Sequence, residues 1–254
     1  MEKTVESRIS VVTVCLNAAH LLPDFRRHIL AALVDADEWI VQDGASKDGT
    51  EALFADKCDS RVRFVSQPDQ GIYDALNRAM QRVSGDFVWI LGVDDRPLVR
   101  CDDVRHLLQS HQTVYYGNVY RPLNDDYYAG AFTAARLART NICQQAILYP
   151  AQILKSRPFD LKYPYQSDWV MNMSIFADPS ISFCYMGRNM AVYGQQGVSS
   201  MQMDDAFQAD YPFLLRRFFS FSDWWFPSMM NTLSRLYRVL PGVPPAQQRH
   251  ARTP

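Results

Sequence analysis

The sequence predicts an α/β fold: a mostly parallel central sheet flanked by helices, followed by a C-terminal helical appendage. Three observations predict it. Short apolar or β-branched runs alternate with helix-length stretches from Ile9 to Leu91. A polar or acidic residue follows each run, at Asn17, Asp43, Asp69 and Asp94-Asp95. The chain has 254 residues, 48% hydrophobic and 21% charged, enough to bury one large core. Alternation of this kind implies parallel βαβ units and an open sheet. Ligands of such sheets bind beyond the carboxyl ends of the strands.

Ile9 to Val14 is continuous and β-branched, as in a strand covered on both faces. Leu21 to Leu33 reads as a helix and Trp39 to Val41 as a short strand. A turn-rich segment, Asp43 to Thr50, follows, and a helix starts at Thr50 with Glu51 in its first turn. Val62 to Ser66 is the third strand. Ile72 to Val83 is an amphipathic helix with Ile72, Ala75, Leu76, Ala79 and Met80 on one face. Phe87 to Leu91 is the fourth strand. Beyond residue 96 the pattern loosens. Val114 to Tyr120, Ala146 to Tyr149 and Ser182 to Tyr185 read as strands, with a helix over Ser167 to Phe176; Asn124 to Arg139 reads as an aromatic loop.

Net charge is −1, so the bulk balance points to no nucleic-acid partner. Five scattered cysteines without CxxC spacing read as reduced thiols of a cytoplasmic protein, not as a zinc site or disulfide framework. Met1 to Ser10 lacks the basic-then-apolar order of a secretory signal, and no apolar run reaches the roughly 20 residues that span a bilayer.

Unpaired carboxylates are costly to bury, so Asp94 and Asp95 at the end of an apolar strand are expected to face a cleft and hold a cation. A hard divalent cation with oxygen ligands points to a phosphate-bearing substrate. The rival reading is a solvated surface pair. Asp43 is read as a ligand contact, against the alternative of a turn followed by a cap at Asp48 or Thr50. Asp69 and Gly71 precede a helix, where turn and capping roles compete with binding. Asn77 reads as a helix asparagine bonded to another element. Asp168 opens a helix, either as a cap or as a general base; Trp169 offers a sugar-stacking face or core packing. None of the five histidines is assigned to the site.

Together these segments resemble the family-2 glycosyltransferases of the GT-A (Rossmann-like) fold. Ile9 to Asn17 is similar to the family's opening strand, Val41 to Thr50 to its acidic turn, and Ser84 to Asp95 to its strand and DXD-like motif. Pro68 to Arg78, Cys143 to Pro150, Ser167 to Trp169 and Gly197 to Ser200 are similar to the bacterial exopolysaccharide, colanic-acid-type subgroup. Three departures stand out: Gln144 where relatives often carry His, Val93 in place of a small polar residue, and Gln196 opening a loop that usually begins Gly-Gly.

The resemblance implies an inverting, metal-dependent hexosyltransferase with a nucleotide-sugar donor, UDP before GDP. Its acceptor would be a saccharide or polyprenyl-linked hydroxyl in surface polysaccharide synthesis. Thr13, Asn17, Asp43, Asp69 and Asp94 would bind the nucleotide, Asp95 would hold Mn2+ or Mg2+, and Asp168 would be the catalytic base. The competing functions are a nucleotidyltransferase, which lacks its Gly-rich basic loop here, and a non-catalytic nucleotide-sugar-binding protein.

The expected organisation is a catalytic domain over 1–205, a helical appendage over 206–240 and a flexible tail over 241–254. The appendage mixes aromatics with arginines, Phe213 to Phe219, Trp224 to Phe226 and Arg235 to Leu240. Such a mixture suits either a membrane interface or a helical cap on the core. The expected location is therefore cytoplasmic, with peripheral membrane contact as one reading of the appendage.

Overall fold

A computed structural model describes residues 7–55, 59–194 and 203–223. Its strands are β1 (Ile9–Cys15), β2 (Glu38–Asp43), β3 (Val62–Ser66), β4 (Phe87–Ile90), β5 (Arg96–Pro97), β6 (Thr113–Arg121), β7 (Asp126–Tyr128), β8 (Ile147–Pro150) and β9 (Ser182–Val192). They form one sheet in the order β3-β2-β1-β4-β8-β6-β9-β5, with β7 paired to β6. The first four strands are mutually parallel, β8 reverses direction beside β4, and β6 and β9 return to the original sense. The fold is thus the expected α/β type with a mostly parallel sheet.

The period of two along each central strand explains why both faces are covered. Ile9, Val11, Trp39, Val41, Phe87 and Trp89 enter one apolar cluster with Leu22, Phe25 and Ile29 of α1 (Leu22–Ala32). The intervening residues Val12, Ile40, Val88 and Ile90 enter the opposite cluster. That cluster holds Tyr73, Leu76, Ala79 and Met80 of α2 (Ile72–Met80), the expected amphipathic face. α2 ends three residues earlier than the sequence pattern suggested. The stretch beyond Thr50 is a single 3-10 turn, Glu51–Phe54.

Three short helices were not foreseen: α3 (Cys101–Arg105), α4 (Ala134–Leu137) and α5 (Ala151–Ser156). Each is under seven residues, too short for a 3.6-residue repeat to stand out in sequence. α6 (Ser167–Phe176) lies where expected. α7 (Asp205–Phe218) opens the expected appendage, and it packs into the same core: Phe207 is stacked on Trp169 at 5.0 Å, and Leu214, Leu215 and Phe219 are buried. Burying such side chains contributes roughly 1.5–3 kcal/mol each, so α7 is held against the same core as the sheet. The remainder of the appendage and the tail lie outside the described residues. No helix among the described residues is long and apolar enough to cross a membrane. The described cysteines, Cys15, Cys101, Cys143 and Cys184, are free thiols.

A buried ion pair fixes the amino-terminal edge of the sheet. Asp37, just before β2, accepts both Arg105 Nη2 contacts at 2.9 and 3.0 Å and the amides of Ile9 and Val34. The Asp37 side chain is fully buried and Arg105 nearly so. Removing one partner of such a pair leaves an uncompensated charge, which costs about 3–5 kcal/mol. Arg105→Ala is therefore expected to lower unfolding free energy by about that much in urea titration. A loss under about 1 kcal/mol would show that water solvates Asp37 in the variant.

Candidate active site

A cleft of about 490 Å³ opens beyond the carboxyl ends of β1 and β4. Its walls are Val14 to Leu16, the loop Asp69 to Gly71 with the first turns of α2, the β4 end from Ile90 to Asp94, Gln144–Gln145 and Tyr165. Gly71 opens α2 at φ 117°, a left-handed backbone that disfavours other residues. Asp69 Oδ1 accepts the Gly71 amide at 2.9 Å, so Asp69 both shapes the turn and lines the cleft.

Asn17 and Asp43 lock the neighbouring loops together. Asp43 is fully buried; its oxygens accept the Ser46 amide at 2.9 Å, the Ser66 hydroxyl at 2.7 Å and the Ser46 hydroxyl. Asn17 Oδ1 accepts the Lys47 amide at 3.0 Å, and the Asn17 amide donates to Ser46 Oγ at 2.6 Å. Neither side chain is on the wall of the 490 Å³ cleft. Thr13 is not brought to the site. It is fully buried in mid-strand, where its hydroxyl accepts the Trp39 indole N–H at 3.0 Å. Its place within the strand puts it among core residues, which the motif alone did not reveal.

The paired acids divide their work. Asp94 lines the cleft. Asp95 is 4% exposed and accepts the amides of Gly92 at 2.7 Å and Gly194 at 2.9 Å. Gly194 approaches so closely that a Cβ there would lie 2.1 Å from the Asp94 carbonyl oxygen. Burial, and then the charge of Asp94, push the Asp95 carboxyl up to about 7 against the pull of those amides. The family resemblance implies the metal at Asp95 and the nucleotide at Asp94. Asp94 is on the wall of this cleft, both acids line a second, adjoining pocket, and each Asp95 oxygen accepts one backbone amide beneath the turn.

Asp168 begins α6 half-buried. Its Oδ1 accepts the Tyr73 hydroxyl at 2.7 Å and its Oδ2 the Asn141 amide at 2.7 Å. Tyr73 itself lines the cleft. Burial raises the Asp168 pKa above the ordinary carboxylate value, opposed by those two donors. Asp168 is not itself on the wall of the 490 Å³ cleft and meets it through Tyr73. Trp169 packs the core: its ring lies on Phe207 and its N–H donates to the Leu137 carbonyl at 2.8 Å. Asn77 exchanges two bonds with the Phe159 backbone, as a helix asparagine bonded to another element.

Sequence reading did not find Tyr73, Asn141 or Tyr165. Tyr73 was indistinguishable from a core aromatic, and Asn141 lies in a loop without a repeat. Gln144 had been noted as a departure. In the structure Gln144 is on the cleft wall, and its Nε2 is buried without a partner among the described residues. A buried donor left unpaired costs roughly 1–3 kcal/mol, which a ligand oxygen would recover.

The glycosyl transferase family 2 profile matches residues 10–178, two thirds of the chain. The chain belongs to glycosyl transferase family 2. A PGL/p-HBAD biosynthesis glycosyltransferase of Mycobacterium bovis is 30% identical over 218 residues, covering 82% of this chain and 85% of that protein. Among solved structures, S. aureus TarS 1-349 in complex with UDP-GlcNAc aligns with TM-score 0.62 at 14% identity. That match covers 83% of this chain and 65% of the TarS chain, just under two thirds of it. The mannosyltransferase PcManGT from Pyrobaculum calidifontis, in complex with GDP-Man and Mn2+, aligns with TM-score 0.57 at 15% identity, covering 94% and 82%. At these identities the two structures speak for the GT-A fold alone. As a family-2 member the protein is a glycosyltransferase.

The GT-A resemblance carries the expectation of a divalent cation. No set of three His, Cys, Asp or Glu among the described residues is grouped to hold a metal. Asp94 is on the cleft wall, and Asp95 beside it is penalised by burial for its charge, a penalty that a nearby cation relieves. Such a site suits a cation that takes most of its ligands from substrate phosphates.

The raised Asp95 pKa has a measurable consequence without any ligand. Between the ordinary value of 3.8 and about 7 the folded chain retains a proton that the unfolded chain has lost. Stability contributed by this group therefore falls as pH rises across that window. In metal-free buffer, Asp95→Asn is expected to flatten that fall in urea unfolding measured between those pH values. An unchanged slope would place the titration elsewhere.

Proposed function

We propose that the protein transfers a sugar, with inversion, from a nucleotide-sugar donor to a hydroxyl of a saccharide or polyprenyl-linked acceptor in surface polysaccharide synthesis. UDP is the favoured nucleotide. The observation that carries this reading is Asp168: a carboxylate on a helix start, held by two donors, one of which lines the cleft. Asp168 takes the proton of the acceptor hydroxyl. The freed oxygen attacks the anomeric carbon from the side opposite the nucleoside diphosphate, and that bond breaks as the new one forms.

Asp69 and Asp94 line the donor cleft, and Asn17 and Asp43 hold the loops at its rim. Gln144 Nε2 donates to a donor oxygen. Mn2+ or Mg2+, when bound, supplies charge neutralisation at the diphosphate; Asp94 would hold it, with Asp95 fixing the turn beneath. Solved family-like structures in complex with UDP-GlcNAc and with GDP-Man support a nucleotide sugar, and leave the base to experiment. A purely binding role is disfavoured, because binding alone needs no carboxylate at the Asp168 position.

Transfer is expected to be lost in Asp168→Asn while donor binding survives. A thermal-shift panel of UDP- and GDP-sugars with Mn2+ reads the binding, since a ligand raises apparent stability by mass action. Normal turnover by Asp168→Asn would reassign the base.

Peripheral contact with the inner membrane face is part of the proposal. Phe213 and Phe221 are 61% and 60% exposed, beside the exposed Arg216 and Arg217 of α7. Aromatics beside arginines suit a headgroup interface. The double variant Phe213→Ser/Phe221→Ser is expected to reduce flotation of the full chain with vesicles containing anionic lipid. Undiminished flotation would remove these two residues from the contact.

A further inference from the structure

A line of hydrogen bonds runs from the core to Asp168. The Tyr149 hydroxyl, on fully buried β8, donates to Asn172 Oδ1 at 2.7 Å. Asn172 Nδ2, fully buried on α6, donates to Asn141 Oδ1 at 2.8 Å. Asn141 Nδ2 donates to Asp168 Oδ2 at 2.7 Å. Each amide has an acceptor at one end and donors at the other, so the sense of one bond sets the sense of the next. In the observed sense every donor in the line meets an acceptor. Reversed, the Tyr149 hydrogen would lose its acceptor and the Asn141 carbonyl would face the Asp168 carboxylate.

We propose that Tyr149, Asn172 and Asn141 form a positioning chain that presents an N–H to Asp168 and so keeps it ionised between turnovers. The inference rests on the reading of Asp168 as the base. The other oxygen is built differently. Tyr73 has one hydroxyl proton and two acceptors, Asp168 Oδ1 at 2.7 Å and the Tyr165 carbonyl at 3.1 Å. When Asp168 takes the acceptor's proton, the Tyr73 O–H turns to Tyr165 and its oxygen accepts from the new carboxyl O–H. One oxygen of the base is thus fixed as an acceptor, and the other has room for the proton.

The titratable groups that face Asp168 are Tyr73 from α2, Tyr149 from β8 and the Cys143 thiol before β8. Burial raises all three, Cys143 to about 12, so each stays neutral where a carboxylate titrates. Asp168 is the group among them whose charge changes there.

The test is a carboxyl-carbon NMR titration of the full chain labelled at Asp Cγ, with the Asp168 resonance identified by its loss in Asp168→Asn. In Tyr149→Phe and in Asn141→Ala the Asp168 midpoint is expected to move up by about one pH unit. A role confined to packing would lower stability and leave the midpoint in place, which would overturn the proposal. Should Tyr149→Phe fail to fold, Asn141→Ala, at a half-buried loop position, carries the same test with the same two outcomes. Turnover retained by Asp168→Asn would sink the base reading; an unmoved midpoint with Asp168→Asn inactive would sink the chain alone.

Discussion

The β4–β5 turn hangs on the Asp95 carboxylate, which takes the amide of Gly92 from its own loop and that of Gly194 from the end of β9. That bridge ties the end of β4 to the end of β9, next to the pairing of β5 with β9. The bridge also restrains the Asp95 side chain. A carboxylate with both oxygens engaged by backbone amides cannot swing into a cleft without leaving two donors bare, at roughly 1–3 kcal/mol each. Asp94, the residue before Asp95, is on the wall of the cleft. The elevated Asp95 pKa follows from the same burial, because a charge kept beneath a turn loses its water.

The same economy of donors recurs at the rim. Asp43 gathers Ser46 and Ser66, and Ser46 in turn accepts the Asn17 amide, so loops after β1 and β2 and the end of β3 share one anchor. Asn17 and Ala45 adopt positive φ, 52° and 61°, and the bonds around them stabilise that backbone. Loops fixed in this way present a preformed wall, so donor binding need not order them first.

How much of this was legible in the sequence follows from the length scale of each signal. β1, β2, β3, β4 and α2 were readable because apolar residues recur with a period of two or 3.6 over enough positions to be distinctive. β5, β7, α3 and α4 were not: each spans two to five residues, and tertiary contacts rather than local pattern hold them, as Arg105 of α3 shows by pairing with Asp37. At the site, residue types were legible and their division of labour was not. Two adjacent aspartates look alike in sequence; only burial separates Asp94 from Asp95. Thr13 stood in the right strand and faced the core, and Tyr73 looked like one more core ring until its hydroxyl was seen on Asp168.

The reversal of strand direction at β8 is what lets both halves of the chain reach one cleft. β4 ends at the site, and its neighbour β8 runs antiparallel, with Phe87 opposite Pro150 and Trp89 opposite Leu148. The start of β8 therefore lies beside the end of β4, and the residues before it, Asn141 to Gln145, are delivered to the same edge. A parallel β8 would have placed them at the far edge, some four residues or roughly 13 Å away along the strand. Gln144 and Gln145 line the cleft beside Asp94 and Asn141 bonds Asp168, so this one segment reaches both the acid pair's end of the cleft and Asp168. Asp94 and Asp168 are thus set in mutual register by the β-sheet hydrogen bonds between β4 and β8.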